Sequence, residues 1–278
     1  MLLEKIDTLN MPGKVRFLAL GDLVGRIARQ TLKEVLPQLR KEYEVDFVIA
    51  NGENLSHGIG QTTKTCEEVL GAGVDFLTGG NHISSKESEL EVYASSYPVI
   101  RPANFPEGVP GDGYRVVEVQ GISVAIINLV GRVFMRSNYD CPFRAFDRIY
   151  DQVKDKAEVI LVDFHAEATS EKIAFSWYVD GRATVVWGTH THVATADARI
   201  LPEGTLYHTD LGMVGALDSV LGVGKQGIIK TFLTQIPYVH EIPEKGETIL
   251  NGLFFEIDID VKKVTRFERV ERLLKTLA

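Results

Sequence analysis

What constrains this chain most is one repeated local form: a short apolar run that stops at a small residue and then presents a polar or imidazole side chain. Lys14 to Leu20 runs into Gly21-Asp22, and Val45 to Ala50 ends in Asn51-Gly52-Glu53-Asn54. Val74 to Thr78 ends in Gly79-Gly80-Asn81-His82, Glu158 to Val162 in Asp163-Phe164-His165, and Ala183 to Trp187 in the stretch GTHTHV, Gly188 to Val193. Apolar runs of roughly 4–8 residues bounded by turn signals read as buried strands. Helical patterns separate the first three: Arg26 to Tyr43, with apolar residues at Ala28, Leu32, Val35, Leu36 and Leu39, then Thr62 to Ala72. A helix over Ser84 to Ser95 and a short strand at Pro98 to Arg101 complete a β-α-β-α-β-α-β order. Open α/β sheets place their ligand sites at the carboxyl ends of such strands. Pro37, inside the first helix, predicts a kink or a break.

The middle of the chain changes pattern. Tyr114 to Val119 and Ile122 to Leu129 flank Gln120-Gly121 as a hairpin. Arg132 to Phe143 reads as loop, Phe146 to Ala157 as a helix with an acidic and basic face, and Ser170 to Val179 as a helix with Ser170 as its N-cap. The tail adds a strand at Thr205 to Thr209, a helix around Lys225 to Gln235, and paired strands near Leu250 to Asp260 and Lys263 to Val270. No repeat, low-complexity run or Pro/Gly/Ser-rich linker interrupts it. The expectation is an N-terminal extension, residues 1–13, followed by a single domain, residues 14–278, built as two packed sheets with helices outside. Residues 1–10 lack apolar periodicity and are expected to be dispensable, with Met11 an alternative start.

The net charge of −8 over 278 residues argues against a general nucleic-acid binder, which would carry a basic face, while leaving room for a local basic pocket. No apolar stretch approaches the ~20 residues of a membrane span, and the first residues are not expected to act as a signal peptide. A cytoplasmic protein is expected, with Cys66 and Cys141 reduced.

The polar residues at the strand ends are Asp22, Glu53, Asn54, Asn81, His82, His165, His190 and His192. Each taken singly reads as a turn former, a cap or a satisfied core residue; their recurrence at successive strand ends is what points to a metal site. In extended backbone, residues two apart share a face, so His190 and His192 could serve one metal or one imidazole each to two. Oxygen and imidazole donors without thiolate suit Mn, Fe or Zn. The set is too large for one catalytic metal, which normally takes three protein ligands, and fits two ions ~3.5–4 Å apart. His57 reads as a solvent-exposed or substrate-side residue rather than a ligand, and His208 and His240 as structural.

The order GD, NGEN, GGNH, DFHAEATSEK, GTHTHV, TADARILP, TDLGM resembles the YmdB-like family of bacterial metallophosphoesterases, in the calcineurin-like superfamily, over nearly the whole chain from Lys14. Val24 stands where the general superfamily has a histidine, and Glu53 replaces a bridging aspartate. The resemblance implies a four-layer α/β/β/α sandwich of two mixed sheets and two divalent metal ions, iron and/or manganese, with zinc or magnesium as other candidates. It implies a first shell of Asp22, Glu53, Asn54 and His192 and a second of Glu53, Asn81, His165 and His190, with Glu53 shared. The implied activity is hydrolysis of 2′,3′- and/or 3′,5′-cyclic nucleotides by a metal-bridging hydroxide, with His82 as general acid. A phosphomonoesterase and a regulatory nucleotide-binding protein with little turnover are the alternatives. The expected partner is a small cyclic nucleotide or other phosphodiester, with no membrane and no extended nucleic-acid surface; a homo-oligomer is one option, and no substrate-binding residues are assigned. Ile83-Ser84-Ser85 departs from the Thr-Trp-Asp-like segment of many family members, which bears on substrate preference.

Overall fold

The computed structural model describes residues 13–83 and 87–277. The first half runs β1 (Lys14–Leu23), α1 (Gly25–Glu42), β2 (Phe47–Asn51), α2 (Thr63–Leu70), β3 (Phe76–Thr78), α3 (Glu87–Tyr93), β4 (Tyr114–Val119) and β5 (Ile122–Val130). It continues with α4 (Pro142–Val153), β6 (Val159–His165), α5 (Thr169–Val179), β7 (Val185–Thr189), β8 (Arg199–Ile200), β9 (Leu206–His208) and β10 (Met213–Ala216). Helix α6 (Lys225–Thr234) and the long strands β11 (Gly246–Asp258) and β12 (Lys263–Leu277) close the chain.

Two six-stranded mixed sheets result, in the orders β12-β11-β10-β1-β2-β3 and β4-β5-β6-β7-β9-β8. The strands carrying the polar ends make parallel pairings, β1 with β2 and β10, β2 with β3, β5 with β6 and β6 with β7, while β1 also pairs antiparallel with β11 over Lys14 to Leu20. A parallel strand covered on both faces reads as an unbroken apolar run. In β1, Val15, Phe17 and Ala19 pack into the core between the sheets, while Leu18 and Leu20 join the core under α1 and α2. In β5, Val124 and Ile126 face the same inter-sheet core, whereas Ala125, Ile127 and Leu129 meet α4 and α5. The layers are therefore helix, sheet, sheet, helix, as the resemblance implied. Phe17 and Phe255 stack at 5.3 Å between the sheets, with Trp187 at 6.4 Å from Phe255. Each such ring buries surface worth on the order of 1.5–3 kcal/mol.

Several expectations are corrected. Helix α1 runs unbroken through Pro37. Pro37 and Lys33, whose carbonyl loses its partner, both lie on the exposed face, where water replaces the missing donor. Pro98 to Arg101 forms only an isolated bridge, Leu77 to Val99, not a strand. Helix α4 starts at Pro142 rather than Phe146, since proline suits a first helical turn. Ser170 lies inside α5; the N-cap position is Ala168, which makes no side-chain cap. The hairpin is as expected, with Gln120 and Gly121 both at positive φ, as two-residue turns require. Cys66 and Cys141 are free thiols. The expected extension, residues 1–13, lies outside the described residues but for Gly13, and so do Ser84 and Ser85.

Candidate metal centre

The parallel strands of both sheets end at one edge of the molecule, and all of the expected site residues meet there. Asp22 arrives by a register shift between Leu20 and Asp22 in the β1–β2 pairing. Gly21 permits it: a Cβ there would lie 2.0 Å from the Gly212 carbonyl oxygen. Asp22 is fully buried. Its Oδ2 accepts from the His190 N–H at 3.0 Å, while Oδ1 has no hydrogen-bond partner and faces His165 and His192 at 3.8 Å each.

Around His165 Nε2 lie Glu53 Oε2 at 3.1 Å, Asn81 Oδ1 at 3.0 Å and His190 Nδ1 at 3.0 Å. Glu53, His165 and His190 form a cluster whose donor atoms all lie within 4.8 Å of one another. A second group adjoins it: His192 Nε2 sits 3.2 Å from Asn54 Oδ1 and 3.8 Å from Asp22 Oδ1. Thr189 Oγ1 gives its hydrogen to Asp163 at 2.7 Å, so at 2.9 Å it accepts from His165 Nδ1–H and turns Nε2 toward the cluster. His192 Nδ1 likewise donates to the Leu221 carbonyl at 2.9 Å, which turns its Nε2 inward. One N–H at His165 cannot satisfy three surrounding acceptors, and Asp22 Oδ1 has none. Buried acceptors converging in this way fit divalent cations.

Glycine is required here. A Cβ on Gly80 would lie 2.0 Å from Glu53 Oε2 and 2.5 Å from His165 Nε2. Gly80→Ala should therefore displace Glu53 or His165: Mn²⁺ affinity, measured by calorimetry, is expected to fall at least about tenfold while the metal-free protein still folds. Unchanged affinity would show that the edge yields without cost.

Without a cation the cluster holds a proton. Burial raises the Asp22 carboxyl to about 6 despite His192 and His165. Burial also opposes ionisation of Glu53, but His165 and His82 overcome it and hold the carboxyl well below its ordinary range. Burial would lower His165; Glu53 and Asp22 outweigh it and carry the imidazole up to about 9. Burial and the neighbouring His165 push His190 down to about 3. His165 is thus protonated below about pH 9, and a cation must displace that proton. Apparent Mn²⁺ affinity is expected to rise about tenfold per pH unit between roughly pH 6.5 and 8.5, with proton release on binding. A flat profile over that range contradicts this arrangement.

The paired imidazoles do not reach the site by strand alternation. Strand β7 ends at Thr189, and His190 and His192 have φ of 99° and 63°. Two such residues store on the order of 1–3 kcal/mol each. A buried ion pair holds them: Lys172 Nζ lies 2.6 Å from Asp210 Oδ2, and that oxygen accepts from the N–H of Thr191, between the two histidines, at 3.2 Å. Losing one partner of a buried pair costs about 3–5 kcal/mol. Lys172 and Asp210 stand within DFHAEATSEK and TDLGM, but nothing in their spacing marks a role at the site. Asn51 and Asp163 carry no such mark either. Asn51 Nδ2 donates to Gly79 O and Asp163 Oδ2, both at 3.0 Å, and Asn51 Oδ1 accepts from Glu53 N at 3.1 Å. The available signal was a carboxylate two residues before His165 in an otherwise apolar strand, which must be partnered when buried.

His82 stands at the rim, its side chain 36% exposed, with Nδ1 3.3 Å from Glu53 Oε1. His57 is exposed. His208 is buried, with Nε2 2.9 Å from the Thr195 carbonyl, a structural contact as expected. His240 is exposed rather than structural and lines a cleft with His57.

A family model described as YmdB-like protein matches residues 18–270. The chain is 44% identical over 256 residues to the 2′,3′-cyclic-nucleotide 2′-phosphodiesterase of Bacillus subtilis strain 168, covering 92% of this chain and 96% of that protein. A solved structure described as a novel phosphatase of Mycoplasma pneumoniae superposes with a TM-score of 0.89 at 36% identity, covering 95% of each chain. A hypothetical protein of Thermus thermophilus superposes with a TM-score of 0.87 at 37% identity, covering 93% of this chain and 99% of that one. Among the described residues no helix is long and apolar enough to cross a membrane.

Proposed function

The chain belongs to the YmdB-like protein family, and on that premise we propose that it is a metal-dependent phosphodiesterase acting on nucleoside cyclic phosphates, of the 2′,3′- and/or 3′,5′-cyclic class. The observation that carries the reading is the buried, unpartnered Asp22 Oδ1 amid converging imidazole and amide acceptors. The activity named for the Bacillus subtilis relative supports the substrate class.

Asp22, Asn54 and His192 would hold one divalent cation and Asn81, His165 and His190 a second, with Glu53 shared. Bound cations of this kind lower the pKa of water and offset charge on a phosphoryl group. Among the proposed ligands only Asp22 and Glu53 carry negative charge, so two divalent cations held there would keep a positive surplus over their ligands and draw an anionic diester, even with Glu167 3.1 Å from His190 Nε2. Thr189 and Leu221 fix the tautomers of His165 and His192, so both imidazoles present Nε2 without rearrangement. The Lys172–Asp210 pair holds the loop between His190 and His192. On a 2′,3′-cyclic substrate, water adds to phosphorus, the phosphorus–2′-oxygen bond breaks, and the departing oxygen takes a proton. His82 is the donor: Glu53 orients its Nδ1, and the ring's Nε2 delivers the proton.

Hydrolysis of phosphomonoesters by the same centre is the second reading, favoured by the description of the Mycoplasma pneumoniae structure. Turnover of 2′,3′-cyclic AMP, 3′,5′-cyclic AMP, 5′-AMP and p-nitrophenyl phosphate by Mn- or Fe-loaded protein separates the two. We expect a cyclic nucleotide to be turned over fastest, with about two metal ions per chain by elemental analysis. Preference for 5′-AMP or p-nitrophenyl phosphate would establish the phosphatase, and one ion or fewer after reconstitution would overturn the dinuclear centre.

A further inference from the structure

Beside the metal centre lies a cleft of about 890 Å³ between α1, α2 and the segment around Ile242. Arg26, Arg29, Lys33 and Lys64 line it, against the carboxylates of Glu68 and Glu244. That local positive surplus stands in a chain of net charge −8. Arg29 pairs with Glu68 at 2.8 Å and Arg26 with Glu244 at 3.6 Å, while Lys33 and Lys64 are exposed and make no ion pair among the described residues. Arg26, Arg29 and Lys33 follow at intervals of three and four, which sets them in one row on α1, roughly 10 Å long at 1.5 Å per residue.

The row starts at the metal centre and runs away from it. Helix α1 begins just after Asp22, and its Gly25 N–H donates to the carbonyl of Asn54 at 2.9 Å. Arg29 donates to the Leu55 carbonyl at 2.5 Å, and Asn54 Nδ2 donates to the Gly58 carbonyl at 2.9 Å. The cleft and the centre thus share one loop wall: His57, which lines the cleft, is three residues from Asn54, at most roughly 11 Å of chain. A linear row of cations leading from a phosphoryl site matches a linear row of phosphates.

We propose that this cleft binds the phosphodiester backbone of a short oligoribonucleotide whose cyclic phosphate end sits at the metal centre. Substrate selection then extends beyond the terminal nucleoside, and Lys33 and Lys64 contribute most, since they share Glu68 only at longer range and form no ion pair among the described residues. The inference rests on reading the centre as a cyclic-nucleotide phosphodiesterase.

The test compares 2′,3′-cyclic AMP with a trinucleotide ending in the same cyclic phosphate, on metal-loaded wild type and on the Lys33→Gln/Lys64→Gln double variant. Both lysines are exposed, so the variant should fold normally. The trinucleotide should show a KM on the order of tenfold lower than the mononucleotide at low salt. Engaging two phosphates on a single strand should weaken that advantage about sevenfold between roughly 50 and 200 mM salt. The double variant should lose the advantage with unchanged kcat/KM on the mononucleotide. A trinucleotide KM equal to or above that of the mononucleotide, or an advantage that survives in the variant, overturns the proposal. Inorganic pyrophosphate binding that depends on the lysines, without an oligonucleotide advantage, overturns it in favour of a small-anion site. Turnover of the trinucleotide alone, lost in the variant, would support the proposal, whereas absence of turnover on both substrates would instead indict the functional reading. The cleft is then decided by titration with the ring-opened trinucleotide, which should bind wild type more tightly than the variant; equal binding overturns the proposal.

Discussion

Glu53→Ala is expected to lose both metal ions and all detectable turnover, whereas His192→Ala should mainly weaken one ion. The asymmetry follows from charge. Glu53 is almost fully buried and is proposed as the ligand common to both cations, beside only one other carboxylate, Asp22. Its removal takes away an attraction of about 4 kcal/mol per unit charge at close range, felt by each divalent ion, and leaves their mutual repulsion unscreened. His192 is a neutral donor at one edge, near Asn54 and Asp22. The fold should survive the loss of Glu53. It is the carboxylate that holds His165 protonated, so without it burial returns the imidazole toward its neutral form and no orphaned cation remains. Metal content by elemental analysis after reconstitution with Mn, with thermal melting in chelator as the control, measures this. Equal metal loss in the two variants would contradict the shared assignment of Glu53.

The layered architecture was legible because its signals are local. Apolar runs such as FLAL are buried on both faces, and each stops where the chain must turn at the sheet edge. What the sequence hid depends on pairings distant in the chain. Pro37 does not end α1, because it lies on the exposed face where water replaces the missing donor. Ala168 starts α5 without a cap because the loop before it is placed by the sheet rather than by a helix signal. At the site, strand ends named the inward-facing residues, but the alternation rule misdescribed the His190–His192 pair. Its left-handed backbone is held by Lys172 and Asp210 from elsewhere in the chain. The buried network through Asn51, Asp163 and Thr189 was hidden for the same reason: each residue alone reads as an ordinary polar strand end, and only the packing of the two sheets joins them.

His82→Ala is expected to keep both metal ions and to lose on the order of 10²–10⁴-fold in turnover of cyclic nucleotides. Metal retention is argued from what the substitution leaves behind. The His82 backbone N–H donates to Glu53 Oε2 at 3.2 Å and persists in alanine, and Glu53 keeps His165 at 3.1 Å. What disappears is an imidazole at the rim whose Nδ1 is oriented by Glu53 Oε1. A ribose alkoxide departs poorly without a proton, so the loss should fall on kcat. A diester with an activated phenol as leaving group needs no such proton, and the variant should hydrolyse it at nearly the wild-type rate. Equal losses on both substrates would mean that His82 positions the phosphate rather than protonates the leaving oxygen. Loss of metal would make it a ligand, and the division of donors between the two proposed ions would have to be redrawn around Asn54, its neighbour at 3.4 Å.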